Sequence, residues 1–160
     1  MRLHVPTTLR WADLDAYGHV NNASMFRLLE EARIQAFWSD EENAVPTRWA
    51  STAVLDGLPG ASTLTLIARQ EAEYLVPIPY RRQPLDIQLW IGPMGGASLD
   101  VCYEIWSPDG VEPRVLYARA ATTLVLVDAL TQRPRRIKEL EREAWAPYVD
   151  EPVKFTKRRN

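Results

Sequence analysis

Hydrophobic residues recur at steps of three and four between residues 23 and 38, which predicts one long amphipathic helix. Its predicted apolar face consists of Met25, Leu28, Leu29, Ala32, Ala36 and Phe37. Neither Gly nor Pro interrupts the run, so intrinsic propensity agrees with the periodicity. Asn21 and Asn22 stand just before the helix, where either side chain can cap the free backbone N–H groups. The pattern therefore predicts a helix with one buried face and a capped start.

Alternating apolar and polar residues predict β-strands on both sides of this helix. The predicted strands cover residues 3–11, 63–75, 85–91, 97–107 and about 115–127. The turns at Pro93–Gly96 and at Asp109-Gly110 are short, so the strands that they join must be antiparallel. A short amphipathic helix follows at residues 137–148. Residues 44–62 have no clean period and receive no assignment.

These elements predict an α+β fold in which a long antiparallel sheet wraps around the central helix. A single sheet must cover one face with apolar side chains, and only the central helix is long enough to supply them. A short C-terminal helix completes the predicted domain, which spans residues 1–150. Residues 151–160 form a basic tail that we expect to be flexible.

Composition narrows the function classes. The chain has 160 residues of which 46% are hydrophobic, enough for one core, and its net charge is −2 with both signs interspersed. No basic surface for nucleic acid is therefore expected. The one cysteine, Cys102, cannot form an internal disulfide, which fits a reducing compartment. No apolar run approaches the length of a membrane span, and the N-terminus lacks the apolar stretch of a signal peptide, so we expect a cytoplasmic protein.

The polar turn between the first strand and the helix contains the candidate chemistry. A carboxylate delivered to the N-terminus of a helix can assist acyl transfer, because the free backbone N–H groups there stabilise an oxyanion. Asp15 is the candidate base or nucleophile. From the residues alone, a turn or capping role for Asp15 remains open. His19 is a second candidate base, although an orienting or structural role is favoured.

Other polar residues of the chain receive less active roles. Asp13 is expected to be a structural acceptor or a neighbour that affects Asp15. Gly18 is expected to supply either a backbone conformation or a close approach that a side chain would block. Only two histidines exist in the chain, so no metal site is predicted.

The motif RWADLDAYGHVNN at residues 10–22, followed by LEEAR at 29–33, resembles the signature of the hotdog-fold acyl-CoA thioesterases, specifically the 4-hydroxybenzoyl-CoA thioesterase-like family. Residues 73–87 resemble that family's next strand pair. Residues 122–134 resemble its last strand and exit. The resemblance covers about residues 5–137, and the first motif is its most specific part.

The resemblance implies a thioesterase that hydrolyses an acyl-CoA to a free acid and coenzyme A. Asp15 matches the catalytic carboxylate, and the backbone N–H near Asn22 matches the group that polarises the thioester carbonyl. Further expected substrate contacts are Tyr17, Gly18 and Asn21 in the turn, and Arg81, Arg82 and Arg133 for the coenzyme A phosphates. No cofactor is expected beyond the coenzyme A of the substrate, and the expected assembly is a homodimer or homotetramer.

Two alternatives of different classes remain. Hotdog hydratases and dehydratases typically use a histidine in a Gly-His-Phe-Pro turn, whereas this chain has Gly18-His19-Val20-Asn21 and carries Asp15. That difference favours hydrolysis. A non-catalytic acyl-CoA binding protein is the other alternative.

Overall fold

The computed structural model describes residues 1–39, 51–56 and 59–156. The helices and strands are β1 (Leu3–Thr7), α1 (Asn22–Phe37), β2 (Trp38–Ser39), β3 (Leu55–Asp56), β4 (Thr63–Tyr74), β5 (Leu85–Met94), β6 (Ser98–Trp106), β7 (Leu116–Asp128) and α2 (Glu139–Trp145). Five strands form one antiparallel sheet in the order β1-β5-β6-β7-β4. The predicted α+β architecture, with one central and one short C-terminal helix, is confirmed. Of the unassigned stretch 44–62, residues 44–50 and 57–58 lie outside the described residues.

The core lies between α1 and the inner face of the sheet. Every second residue of β6, such as Val101 and Tyr103, points into this core, as the alternation predicts. From the helix side, Leu29 and Ala32 are fully buried. Burying one large aliphatic side chain contributes about 1.5–3 kcal/mol, so this layer holds α1 on the sheet.

Strand β1 is shorter than predicted, because it ends at Thr7 rather than at residue 11. Residues Trp11–Asp13 form a 3-10 turn instead. The buried carboxylate of Asp13 accepts from the Arg10 backbone N–H at 2.7 Å and from its guanidinium at 2.9 Å. Burial alone raises the pKa of Asp13, but the hydrogen bonds and charge of Arg10 outweigh it and hold that pKa below its usual value. The structural role expected for Asp13 is what the contacts show.

The C-terminal segment lies against the outer face of the sheet as far as it is described. The Trp90 indole N–H donates to the carbonyl of Glu151 at 2.7 Å, and the Thr156 backbone N–H donates to Glu73 at 3.1 Å. Cys102 is buried on this outer face, and burial raises the pKa of its thiol. Residues 151–156 of the basic tail are therefore packed on the sheet, while residues 157–160 lie outside the described residues.

Candidate active site

Residues 14–20 form a tight hairpin that sets the position of Asp15. Leu14 and Val20 pair across its base, and the Asp15 backbone N–H donates to the carbonyl of His19 at 2.7 Å. Gly18 has a φ of +77°, which L residues with a side chain adopt only with strain. A Cβ built at Gly18 meets no atom within 4 Å, so the backbone conformation and not a close approach explains the glycine.

The two oxygens of the Asp15 carboxylate have different surroundings. Oδ1 accepts from the backbone N–H groups of Tyr17 at 2.8 Å and His19 at 3.1 Å, which fixes the carboxylate on its turn. Oδ2 has no hydrogen-bond donor among the described residues. Asp15 also lines a cavity, so one oxygen holds the turn while the other is available for chemistry. The turn role and the chemical role of Asp15 are therefore compatible.

The N-terminus of α1 faces the same cavity. Asn21 is the N-cap, and its side chain accepts from the Ala23 backbone N–H at 2.8 Å, which answers the question left open between the two asparagines. The Asn22 side chain accepts from the same N–H at 2.9 Å. The backbone N–H of Asn22 itself meets no acceptor in the described part of the chain. It sits at the positive end of the helix macrodipole, where an anion is stabilised.

The cavity has a volume of about 360 Å³. Its lining comprises Asp15, His19, Val20, Asn21, Asn22, Met25, Tyr74, Leu75, Val76, Pro77 and Ile78. The structure thus brings together the predicted residues Asp15, His19, Asn21 and Asn22. The His19 backbone pairs with Pro79 and with Asp15, while its imidazole makes no hydrogen bond to any described residue.

The segment from Tyr74 to Ile78 forms the opposite wall, and the sequence analysis did not assign it to the site. The Tyr74 hydroxyl donates to the Asn22 carbonyl at 3.1 Å, and the Val20 backbone N–H donates to the Ile78 carbonyl at 2.9 Å. Desolvation raises the pKa of Tyr74, so the hydroxyl keeps its proton at neutral pH. The signal in the sequence is the family-like segment at residues 73–77, which by itself indicates a strand and not a cavity wall.

Several predicted substrate contacts lie outside this cavity in the single chain. Tyr17 is 85% exposed, and neither it nor Gly18 lines the cavity. Arg81 and Arg82 are exposed in the loop after Pro79, close in sequence to the cavity wall. Arg133 is at the other end of the sheet, where its carbonyl accepts from Asp128.

The distance between Arg133 and the cavity is set by the length of β4. Thr63 at the start of β4 pairs with Asp128, whereas Tyr74 at its end lines the cavity. Eleven residue steps span about 35 Å at the usual rise of a strand. Arg133 therefore cannot reach the cavity of its own chain.

The described residues lack two features that would change the interpretation of the site. They contain no group of three or more His, Cys, Asp or Glu side chains placed to hold a metal ion. No helix among them is long and apolar enough to cross a membrane.

The cavity is lined by Asp15, which has one carboxylate oxygen free of hydrogen bonds from the described residues, and by the N-terminus of α1. A free carboxylate oxygen and a helix N-terminal N–H are the groups that an acyl-transfer site needs. The model of the Thioesterase-like superfamily matches residues 9–146 of the chain. The chain therefore belongs to this superfamily, and it is a thioester hydrolase with the hotdog fold. The resemblance noted in the sequence is confirmed at that level. No curated protein sequence matches the chain.

Solved structures share the fold over almost the whole chain. The PA5185 protein of Pseudomonas aeruginosa is 22% identical, with 94% of each chain covered and a TM-score of 0.72. A thioesterase from Thermus thermophilus complexed with coenzyme A and Zn is 24% identical, with 92% of each chain covered and a TM-score of 0.64. Slr0204, a 1,4-dihydroxy-2-naphthoyl-CoA thioesterase from Synechocystis, is 17% identical, with 91% of this chain and 96% of that one covered and a TM-score of 0.66.

Proposed function

We propose that this hydrolase cleaves acyl-CoA thioesters, with Asp15 as the catalytic carboxylate and the Asn22 backbone N–H as the oxyanion donor. The observation that carries the proposal is that Asp15, whose Oδ2 accepts no hydrogen bond from the described residues, and the N-terminus of α1 line one cavity. Coenzyme A in the Thermus structure, and the CoA ester named for the Synechocystis enzyme, support the thioester type.

Hydrolysis at this site requires a charge to develop on the thioester oxygen. Water, or the carboxylate itself, adds to the carbonyl carbon, and the carbonyl oxygen becomes an oxyanion within reach of the Asn22 N–H. A donor of this kind contributes about 10² to 10³ in rate. The carbon–sulfur bond then breaks, and coenzyme A leaves as a thiolate that takes up a proton.

Asp15 has two chemically complete routes. As a general base it takes a proton from the attacking water and passes it to the departing sulfur. As a nucleophile it forms a mixed anhydride, which a second step with water hydrolyses to the free acid and the carboxylate. Both routes use the oxygen that is not committed to Tyr17 and His19.

His19 is proposed as an orienting residue. Its backbone completes the turn on both sides, through Asp15 and through Pro79, and His19 lines the cavity with an imidazole that makes no hydrogen bond to any described residue. The imidazole can therefore hydrogen-bond the substrate without changing the turn. A hydratase that uses His19 as its base has no supporting contact among the described residues.

We propose a homodimer as the working assembly. Strand β4 is an edge strand with no second neighbour among the described strands. Its exposed apolar residues include Leu64, Leu66 and Ile67. Two β4 edges paired in antiparallel fashion would bring the partner's far end of the sheet toward the cavity. Arg133 could then act on the coenzyme A phosphates across the interface, together with Arg81 and Arg82.

The test is thiol release from short, long and aromatic acyl-CoAs by the wild type and Asp15→Asn. The asparagine keeps an acceptor for Tyr17 and His19, so the turn is expected to survive while kcat falls about 10² to 10⁴-fold. Asp109→Asn is the matched control, because Asp109 is an almost fully exposed carboxylate. An Asp15→Asn enzyme with unchanged turnover would show that Asp15 is not the catalytic carboxylate. Turnover lost only in His19→Ala would instead favour a histidine mechanism.

A further inference from the structure

Helix α1 carries a buried cation that the proposed reaction does not use. Arg33 is 3% exposed, and its Nη1 donates to the Tyr103 hydroxyl at 2.9 Å. Its Nε has no hydrogen-bond acceptor in the described part of the chain. The one carboxylate paired with it there is Glu30, whose oxygen is 3.9 Å from Nη2 and whose side chain is 57% exposed. The guanidinium is therefore buried with little compensation, which is costly unless an anion joins it.

Two hydroxyl groups form a cluster with this guanidinium on the inner face of the sheet, because Tyr103 contacts Arg33 and Thr122 lies beside Tyr103. Tyr103 and Thr122 are both completely buried. Thr122 interacts with Tyr103, yet no hydrogen bond among the described residues reaches its Oγ1. Burial raises the pKa of Tyr103, so this hydroxyl stays protonated and can donate. The cluster thus offers donors from Arg33, Tyr103 and Thr122 in one place.

The strand register connects this cluster to the cavity. Tyr74, in the cavity wall, pairs with Ala118. Two residues further along the same strands, Ala72 pairs with Ala120, and Ala120 also pairs with Tyr103 on β6. Residues that pair across neighbouring strands form one row of the sheet. At about 3.3 Å per residue along a strand, the row that contains Tyr103 lies about 7 Å from the row that contains Tyr74.

Thr122 lies one row deeper, opposite Gln70 on β4. Its row is about 13 Å from that of Tyr74 at the same rise. The residues on this face of β4 and β7 between the cavity and the Thr122 row are the alanines Ala72, Ala118 and Ala120. Each of these side chains is a single methyl group, so the inner face of the sheet between the cavity and the polar cluster is apolar and carries only small side chains.

The position of Arg33 along α1 agrees with the distance from the cavity to the cluster that the sheet gives. Asn22 and Arg33 are separated by a rise of about 16 Å along α1. Helical side chains lean back toward the N-terminus, so the guanidinium reaches part of the way back to the cavity. Met25, one turn into the helix, already lines the cavity on this side. Helix and sheet therefore place the cluster beyond the inner end of the cavity.

We propose that the acyl group of the substrate carries a second carboxylate at its far end, and that Arg33, Tyr103 and Thr122 bind it. This inference rests on the proposed acyl-CoA thioesterase function and specifies its substrate as the coenzyme A monothioester of a dicarboxylic acid. A guanidinium fork suits a carboxylate better than any neutral end group. An extended acyl chain lengthens by about 1.3 Å per methylene group. The distances from the Tyr74 row to the Tyr103 and Thr122 rows therefore fit dicarboxylic acids of about six to ten carbons.

The test compares kcat/KM for adipyl-, suberyl- and sebacyl-CoA with hexanoyl-, octanoyl- and decanoyl-CoA. The wild type is expected to prefer the carboxylated substrate at least tenfold at one or more of the three lengths, which is about 1.4 kcal/mol of binding. Arg33→Met is expected to abolish that preference while changing hydrolysis of the methyl-ended substrates less than about threefold. Arg27→Met is the control, because Arg27 is an exposed arginine on the same helix.

Thr122→Val is a second variant that keeps the shape of the core if Arg33→Met does not fold. It should lower kcat/KM for the carboxylated substrates severalfold and leave the methyl-ended ones unchanged. A wild type that hydrolyses the methyl-ended substrates equally well or better at every length would overturn this inference and leave the thioesterase function intact. Equal losses for both substrate classes in Arg33→Met and Thr122→Val would likewise overturn it, by assigning the cluster a structural role. A wild type that hydrolyses no acyl-CoA would overturn the underlying function itself.

Discussion

At the scale of single residues, the Asp15 turn depends on one backbone conformation. Gly18 has a φ of +77° and space for a Cβ, so a substitution there tests conformation without adding a clash. Gly18→Ala is expected to lower the free energy of unfolding by about 1 kcal/mol and to lower kcat/KM by displacing Asp15. Denaturant unfolding measures the change in stability, and thiol release measures the change in kcat/KM.

Gly96→Ala is the matched control for this change. Gly96 has an ordinary φ and equal space for a Cβ. Alanine should leave stability unchanged or raise it slightly there, because it restricts the unfolded chain. Equal losses of stability at Gly18 and Gly96 would contradict the conformational explanation.

Tyr74 is the other single residue with a clear expected effect. Its hydroxyl ties the end of β4 to the first residue of α1. Tyr74→Phe is expected to lower the free energy of unfolding by about 0.5–1.5 kcal/mol. It is also expected to lower kcat by a larger factor than it changes KM, because the oxyanion donor loses its support. Tyr17→Phe, at an exposed tyrosine of the same region, should change neither. The idea fails if the two variants have the same kinetics.

Whether the sequence predicts the role of each of these residues depends on how far apart in the sequence the residue and its partners lie. Asp15, Asn21 and Asn22 lie together in the chain, so the motif located them, although only the backbone geometry shows that Asn21 is the cap. Tyr74 is 52 residues from Asn22 and becomes part of the site only through the sheet. Arg33 was recognised as part of a motif, but its burial depends on contacts with β6 that no local pattern shows.

At the scale of elements, α2 is too short to be stable by itself, and one of the contacts that hold it is a buried ion pair. Arg135 binds Glu141 through two contacts of 2.5 and 2.9 Å, and both side chains are largely buried. Glu141 also accepts from the Lys138 backbone N–H at 2.8 Å, which caps the first turn. The pair therefore anchors α2 to the segment that leaves β7.

Glu141→Gln is expected to destabilise the protein by about 2–3 kcal/mol at pH 7, because Arg135 loses its charged partner. Burial raises the pKa of Glu141, but the hydrogen bonds and charge of Arg135 outweigh it, so its net pKa is lowered in the folded protein. The contribution is complete above the unfolded pKa of about 4.3 and is lost as pH falls toward the folded value. Urea unfolding between pH 3 and 7 measures it.

The control for this pair is Glu143→Gln, an exposed position of the same helix. Its effect on stability should stay within about 0.5 kcal/mol across the same pH range. If Glu141→Gln retained its full destabilisation at pH 3, the effect would not come from the charge of Glu141.

At the scale of the whole molecule, the edge of β4 is an exposed surface that can pair with a partner. The alternation of apolar and polar residues predicts strand β4. The burial of its two faces depends on neighbouring elements, and the sequence of one chain does not show which elements those are. Leu66 is 52% exposed and Ile67 is 43% exposed on this edge strand. A long apolar edge strand of this kind is a template for pairing with a second strand.

Leu66→Lys is therefore expected to weaken the proposed dimer by at least tenfold in Kd, because a lysine on each of two paired edges adds repulsion to the loss of apolar area. Sedimentation equilibrium measures this directly, and kcat/KM should fall with it at concentrations below the new Kd. Leu140→Lys places the same change on α2, where the side chain is 68% exposed, and should alter neither quantity. A wild type that sediments as a monomer at full activity would contradict the interface, and the coenzyme A phosphates would then have to be bound by Arg81 and Arg82 of the same chain.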